Sequence, residues 1–326
     1  MTLQKLTASK IRVHNHNNWP AIELFQCEKQ FFEKMAKNNI QQIFVTASMS
    51  SNDDDQEFNS AISHILDCLS LLPMRPDLAF DALYKVIDKN LGFFGANGRS
   101  PVKNAVSAFF NAHCLEWTTI SQTLCESIPQ QTADYAASRM LDCYIIENPP
   151  HTDRMKARAT RSLGEQRYDQ FRNKFLFNNP QNPRLFELPD QNRRNAGRLL
   201  RRMLQLTEPL QGSQINEHLP QDNILNLANR DNILSADAKI ECLWEICLAT
   251  YRHERFHGET FSPFRSSKAT LKTYAHAYFL LMVSYIVVLG LLYTQNKGGL
   301  EIHNIVDVAK KFADRFTNLF KDVLDE

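Results

Sequence analysis

A run of seventeen residues without a charge, 277–293, constrains the fold of this chain more than any other stretch. It is just short of the roughly 20 residues that a bilayer-spanning helix needs. It therefore reads either as a membrane span or as a helix buried on nearly all sides, inside a bundle or against a second copy. His276 at its start and the amphipathic segments around it favour the buried helix. Those segments supply what such a helix packs against. Phe58, Ile62, Ile65, Leu66, Leu69 and Leu72 follow one helical face, and Pro73 ends it. Pro76 suits the first turn of a second helix, with Phe80, Leu83, Tyr84, Ile87 and Leu91 as its apolar face. Gly92 and the Gly-Ala-Asn-Gly turn at 95–98 close that helix.

The same period continues. Val102, Val106, Phe109, Phe110 and Leu115 make one apolar set, and residues 136–146 another, stopped by Pro149 and Pro150. Ser235 and Asp237 open the clearest helix, whose stripe is Ile240, Leu243, Trp244, Cys247, Leu248 and Tyr251. A last helix carries Ile302, Ile305, Ala309, Phe312, Phe316, Leu319 and Val323 on one face. No sustained alternation of the kind strands show is present, so the expected class is all-α. Residues 1–50 are the least readable. Helix is expected from 28 to 37, and 43–46 read as a short strand or a helix end.

Composition narrows the function classes. The net charge is +1, so any nucleic-acid surface must be local. Ten glycines in 326 residues, and neither a dinucleotide-binding nor a P-loop string, argue against a phosphate loop. Seven scattered cysteines with no Cys-x-x-Cys fit reduced thiols in the cytoplasm. Residues 1–12 have no apolar core of a secretory signal.

Between the 235–251 helix and the charge-free run lies Tyr-Arg-His-Glu-Arg-Phe-His-Gly at 251–258. Two chemistries share these letters. His253-Glu254-x-x-His257 is the short zinc-hydrolase motif, with two imidazoles one turn apart and Glu254 as general base. Against it, Glu259 is too close to be a third ligand, and the next downstream glutamate, Glu301, lies beyond the apolar helix. Arg252 and Arg255 add cations beside the metal, and the motif falls where its helix ends. The second chemistry needs no metal. RNA carries its own nucleophile, the 2′-hydroxyl beside the scissile phosphate. His257 can move a proton near neutral pH, and Arg252 can hold the phosphate and its developing charge. One histidine and one arginine supply half of an acid–base pair, which a homodimer would complete. The bland alternative has both residues capping a helix end.

A local basic surface is expected from 151 to 202, where thirteen Lys and Arg stand against five Asp and Glu. Tyr168, Phe171, Phe175, Phe177 and Phe186 are interleaved, a pattern suited to backbone charge and base stacking in single-stranded RNA. Arg193, Arg194, Arg198, Arg201 and Arg202, with Arg255 in the motif, are the candidate RNA contacts. The alternative is a solvated helix face whose rings belong to the core.

Arg252-His253-x-x-x-His257-Gly258, after an amphipathic helix and before a long apolar one, resembles the HEPN superfamily. Its signature is Arg, a polar residue, a short spacer, then His, often followed by Gly. His253 fills the polar slot, and Phe256-His257-Gly258 resembles a common ending. Asp-Leu-Ala-Phe-Asp-Ala-Leu-Tyr at 77–84 is similar to the first helices of some members. The resemblance spans 55–92 and 231–296. It implies a dimerising helical bundle built from 51–92 and 231–326, with 93–230 as a helical insertion. It also implies a metal-independent endoribonuclease at the dimer interface, with Arg252, His253 and His257 as site residues and no cofactor. Such proteins often act as toxins or in phage defence, sometimes with an antitoxin partner. Glu254 and Arg255 inside the spacer depart from the pattern, and some members bind RNA without cutting it. A non-catalytic RNA-binding or interaction module and a zinc hydrolase are the competing expectations.

Overall fold

Local signals start several of the helices. The computed structural model describes residues 7–51, 54–95, 100–145, 152–182, 185–211, 225–258 and 262–325. In chain order the helices are α1 (Ala8–Asn17), α2 (Gln26–Lys37), α3 (Gln56–Ser70), α4 (Pro76–Leu91), α5 (Pro101–Ala112), α6 (Cys114–Glu126) and α7 (Gln130–Asp142). Then come α8 (Thr152–Leu163), α9 (Glu165–Phe175), α10 (Asp190–Gln205), α11 (Ala236–Cys242), α12 (Ala249–Phe256), α13 (Leu271–Thr294) and α14 (Ile302–Phe320). The Asp55 side chain accepts the Phe58 N–H at 2.9 Å and caps α3. Pro76 and Pro101 occupy first-turn positions of α4 and α5. The strand content among the described residues is one antiparallel pair, β1 (Phe177–Asn178) and β2 (Phe186–Glu187). The fold is all-α.

The charge-free run is the axis of the bundle. Every residue of α13 from Tyr274 to Leu292 is buried, against α4, α14, α7, α5 and α2. It is long and apolar enough to cross a membrane, yet its apolar window is wholly covered by this chain. Of the two settings expected for a buried helix, a bundle and a second copy, the structure shows the bundle: this chain covers α13 from Tyr274 to Leu292, leaving no apolar face there for a dimer wall. The α4 helix lies along it, so 51–92 and 231–326 meet directly. The helices between them share the same continuous core, with Phe109 stacked on Trp117 and Trp117 against Gly290. A Cβ at Gly290 would come within 2.7 Å of the Trp117 ring, so only glycine lets α13 pass there.

Polar pins hold α13 in rotation. The Tyr278 hydroxyl donates to Pro73 O at 2.7 Å, and the Tyr274 hydroxyl to Met74 O at 3.2 Å. The Tyr285 hydroxyl accepts the Ala47 N–H at 2.9 Å. His276 Nδ1 lies 2.9 Å from the Thr132 hydroxyl. Residues 43–46 are neither strand nor helix end. They have no regular structure and bury Ile43 and Phe44, with the Phe44 ring edge-on to Phe312. The 95–98 turn lies outside the described residues beyond Gly95, and Pro149 and Pro150 lie outside them altogether.

Candidate active site

The helix that carries the motif has an unusual middle. Between α11 and α12 the backbone winds as a six-residue π-helix, Leu243–Leu248, all of it buried. Such segments shift the register of everything after them and recur at functional sites. Ser235 is the N-cap by backbone geometry, without a side-chain cap bond. Then α12 runs to Phe256, His257 is its C-cap, and Gly258 follows with φ of 66°. The left-handed turn favours glycine and ends the helix at the position expected.

Helical geometry sorts the motif. At about 100° per residue, Arg252, Phe256, His253 and His257 fall within one arc of about 140°. Tyr251, Glu254 and Arg255 take the opposite arc. Exposure agrees: Phe256 and His257 are exposed, Arg252 and His253 half-buried, and Tyr251 and Glu254 buried. The ring centres of His253 and His257 are 4.3 Å apart. The Arg252 guanidinium lies 4.8 Å from the Phe256 ring centre and 5.8 Å from that of Tyr84. Its Nη2 donates to Asp88 Oδ2 at 2.8 Å, in a pair that is partly open to solvent on both sides.

The inward residues are struts. Arg255 donates through Nε and Nη2 to the two oxygens of Asp81, at 2.8 and 2.5 Å. Its Nη1 lies 3.3 Å from Asp77. Asp77 is fully buried and also receives a two-point bond from Arg75, at 2.9 and 2.8 Å. Burial works against the charge on Arg255. The Asp81 hydrogen bond, with Tyr251, Asp81 and Asp77 nearby, more than offsets it, so the pKa rises above the ordinary arginine value. Arg255 thus cannot serve as the RNA contact expected of it, because its side chain is only 9% exposed and committed to two carboxylates. Glu254 points toward α7 and pairs with Arg139 at 2.5 Å. It is not beside the two histidines, where a zinc hydrolase would need its general base. Among the described residues no three His, Cys, Asp or Glu side chains come together as metal ligands.

The α10 helix packs on α7, α6 and α9, and two of its five arginines brace the bundle. Arg193 pairs with Asp142 at 2.7 Å, and Asp142 lies 3.6 Å from Arg139, so an ion-pair chain joins α10 to Glu254. Arg201 bonds Ile128 O at 2.9 Å and pairs with Asp325. Arg194 bonds Gln191 within its own helix, Arg198 is exposed, and Arg202 is half-buried. The interleaved rings turn inward. Tyr168, Phe171 and Phe175 are buried core and cannot stack on bases, Phe186 packs edge-on to Tyr144, and Phe177 alone of the five is exposed.

Two features of the site depend on partner helices. Asp77, Asp81, Tyr84 and Asp88 form a stripe on α4 at spacings of four, three and four, facing Arg255 and Arg252 in antiparallel order. The spacing was there to be found. On the other side, the buried Glu245 of the π segment lies 3.2 Å from Arg161 and 3.7 Å from Arg158 of α8, and accepts the Ser100 hydroxyl at 2.9 Å. No protein family, no curated protein and no solved structure matches this chain.

Proposed function

We propose that the chain is a metal-independent endoribonuclease of HEPN type, acting as a cytoplasmic homodimer in a toxin or phage-defence role under a regulatory or antitoxin partner. The observation that carries the reading is the sorting of the motif: Arg252, His253, Phe256 and His257 share one exposed face, while Glu254 and Arg255 are pinned inside. A nuclease of this kind needs an arginine and a histidine presented together to solvent, and has no use for the glutamate. In the proposed reaction His257 takes the 2′-hydroxyl proton as the oxygen attacks phosphorus. Arg252 holds the phosphate and its added charge. A second copy of the site protonates the departing 5′-oxygen. The P–O5′ bond breaks, leaving a 2′,3′-cyclic phosphate and a 5′-hydroxyl. His253, against the His257 ring, orients it.

The test is incubation of the purified protein with RNA in excess EDTA, with analysis of the ends. Cyclic-phosphate ends are expected, with at least a ~100-fold loss of rate in His257→Ala. Glu254→Gln keeps the reaction, and sedimentation gives a dimer. Activity that disappears on chelation, or survives His257→Ala, sinks the reading. The second reading is an RNA-binding module without chemistry, favoured by one observation: Asp88 already holds the Arg252 guanidinium. RNA bound tightly and left uncut would establish it.

A further inference from the structure

The α8 helix packs on the π segment that leads into the motif helix. Arg154, Arg158 and Arg161 recur at four- and three-residue steps, so they share one face of α8 over about 10 Å. Arg161 and Arg158 meet Glu245, and the Arg158 charge also acts on the Tyr84 hydroxyl, as does that of Arg252. The α8 helix therefore runs antiparallel to the motif helix, and its stripe heads from Glu241 and Glu245 toward Arg252. Arg154 is exposed, with no ion-pair partner among the described residues.

The charges on this face do not balance. Arg158 and Arg161 share the one carboxylate of Glu245, Arg252 has that of Asp88, and Arg154 has none among the described residues. Glu241 adds little, since burial raises it to about 7 and leaves it partly protonated at neutral pH. Arg158 is held where burial lowers its pKa, and the charges of Arg161 and Arg154 push the same way. Like charges a helical turn apart are mildly destabilising. Three of them on one helix face, two sharing a single buried carboxylate, leave positive charge that an anion would complement.

We infer that the phosphates of a single-stranded RNA run from Arg252 along the Arg154–Arg158–Arg161 face of α8, and not along α10. The inference rests on the nuclease reading for its ligand. Arg252 then binds the scissile phosphate, and the α8 arginines bind its neighbours on one side. The contacts are to the backbone, so the stripe adds affinity and salt dependence rather than base preference.

The experiment titrates a labelled short oligouridine RNA into full-length His257→Ala protein in EDTA, at several salt concentrations. Arg154→Glu, which breaks no ion pair among the described residues, is expected to weaken binding about tenfold and flatten the salt dependence by roughly one phosphate contact. Arg154→Gln with Arg158→Gln and Arg161→Gln is expected to weaken it further, with folding checked by circular dichroism. Arg194→Glu with Arg198→Glu, on α10, is expected to leave affinity within about threefold. Equal losses from α8 and α10, or none from Arg154→Glu, overturn the inference. The nuclease reading is scored apart, on protein with His257 intact. If Arg154→Glu binds and cuts like wild type, the stripe falls and the nuclease stands. If RNA binds through the stripe and is never cut, the stripe stands and the nuclease falls. If wild type does not bind the RNA, both fall.

Discussion

Arg252 and Arg255 sit three residues apart and have opposite fates, because the carboxylates that receive them differ in depth. Asp77 is fully buried, Asp81 partly so, and Asp88 lies at the surface. The surface pair is worth little to stability, about 0–1 kcal/mol, so its breaking is cheap. On the proposed reading, Asp88 takes the place on the Arg252 guanidinium that a phosphate oxygen would take. Asp88→Asn should therefore tighten RNA binding severalfold, read as a lower KM with kcat unchanged, and shift the melting temperature hardly at all. A weaker KM would mean that Asp88 presents Arg252 rather than screening it. The buried pair behaves otherwise. Arg255→Ala strips Asp81 of its two-point partner and leaves Arg75 as the sole cation on Asp77. It should cost about 3 kcal/mol or more in chemical denaturation. Arg255→Lys should recover only part of it, since a single ammonium cannot reproduce the fork. A cost below ~1 kcal/mol would show that the network adds little.

At the scale of elements, the sequence spoke most clearly where one local rule decided the outcome. Pro76 begins α4, Gly258 ends α12, and the apolar stripes of α4 and α14 face the core as their spacing requires. The α3 stripe is only half right: Phe58 and Ile65 are buried with Ala61 and Cys68, while Leu66 is exposed. It spoke least where the answer lay in a partner helix. The residues from 151 to 202 read as one basic surface, yet α10 turns Arg193 onto Asp142 and Arg201 onto Asp325, while α8 turns Arg158 and Arg161 onto Glu245 of the π segment. No local pattern distinguishes the two. The π segment was equally hidden, since Leu243, Trp244, Cys247 and Leu248 fit an ordinary α stripe. Its effect is angular: the π turn takes up one residue more than an α turn, so α12 faces as it would in an α-helix one residue shorter. Deleting Ile246 should let the segment rewind as α with Arg252 and His257 still outward. On the nuclease reading, we expect that variant to stay helical by circular dichroism and to keep RNA binding within about threefold. A loss of ~10-fold or more would show that α12 is oriented by the π segment itself.

On the scale of the whole molecule, the axis helix ties stability to pH. His276 is buried on α13 against Thr132, Tyr135 and Tyr251, and desolvation lowers its pKa from 6.5 to about 4. Between those values the unfolded chain binds the proton and the folded one does not. The stability this group contributes is complete above pH 6.5 and is lost as the pH falls toward 4, by about 3 kcal/mol. Glu241 works in the opposite sense. Burial raises it from 4.5 to about 7, so its contribution is complete below pH 4.5 and is lost as the pH rises through 7. The two slopes oppose each other across mildly acidic pH. In urea denaturation, His276→Gln should leave a protein whose midpoint falls as the pH rises through that window. Glu241→Gln should leave one whose midpoint falls as the pH drops. Identical profiles in both variants and the parent would rule out this account. The same helix has a geometric consequence. Because α13 is apolar on every side, hydrophobic burial gives it no reason to face one way rather than another. Three tyrosine hydroxyls, one histidine and the bare flank of Gly290 choose the angle. A few polar atoms thus carry the information that selects one arrangement from many of nearly equal energy, and the position of α4, with the carboxylates that aim the motif, is inherited from that choice.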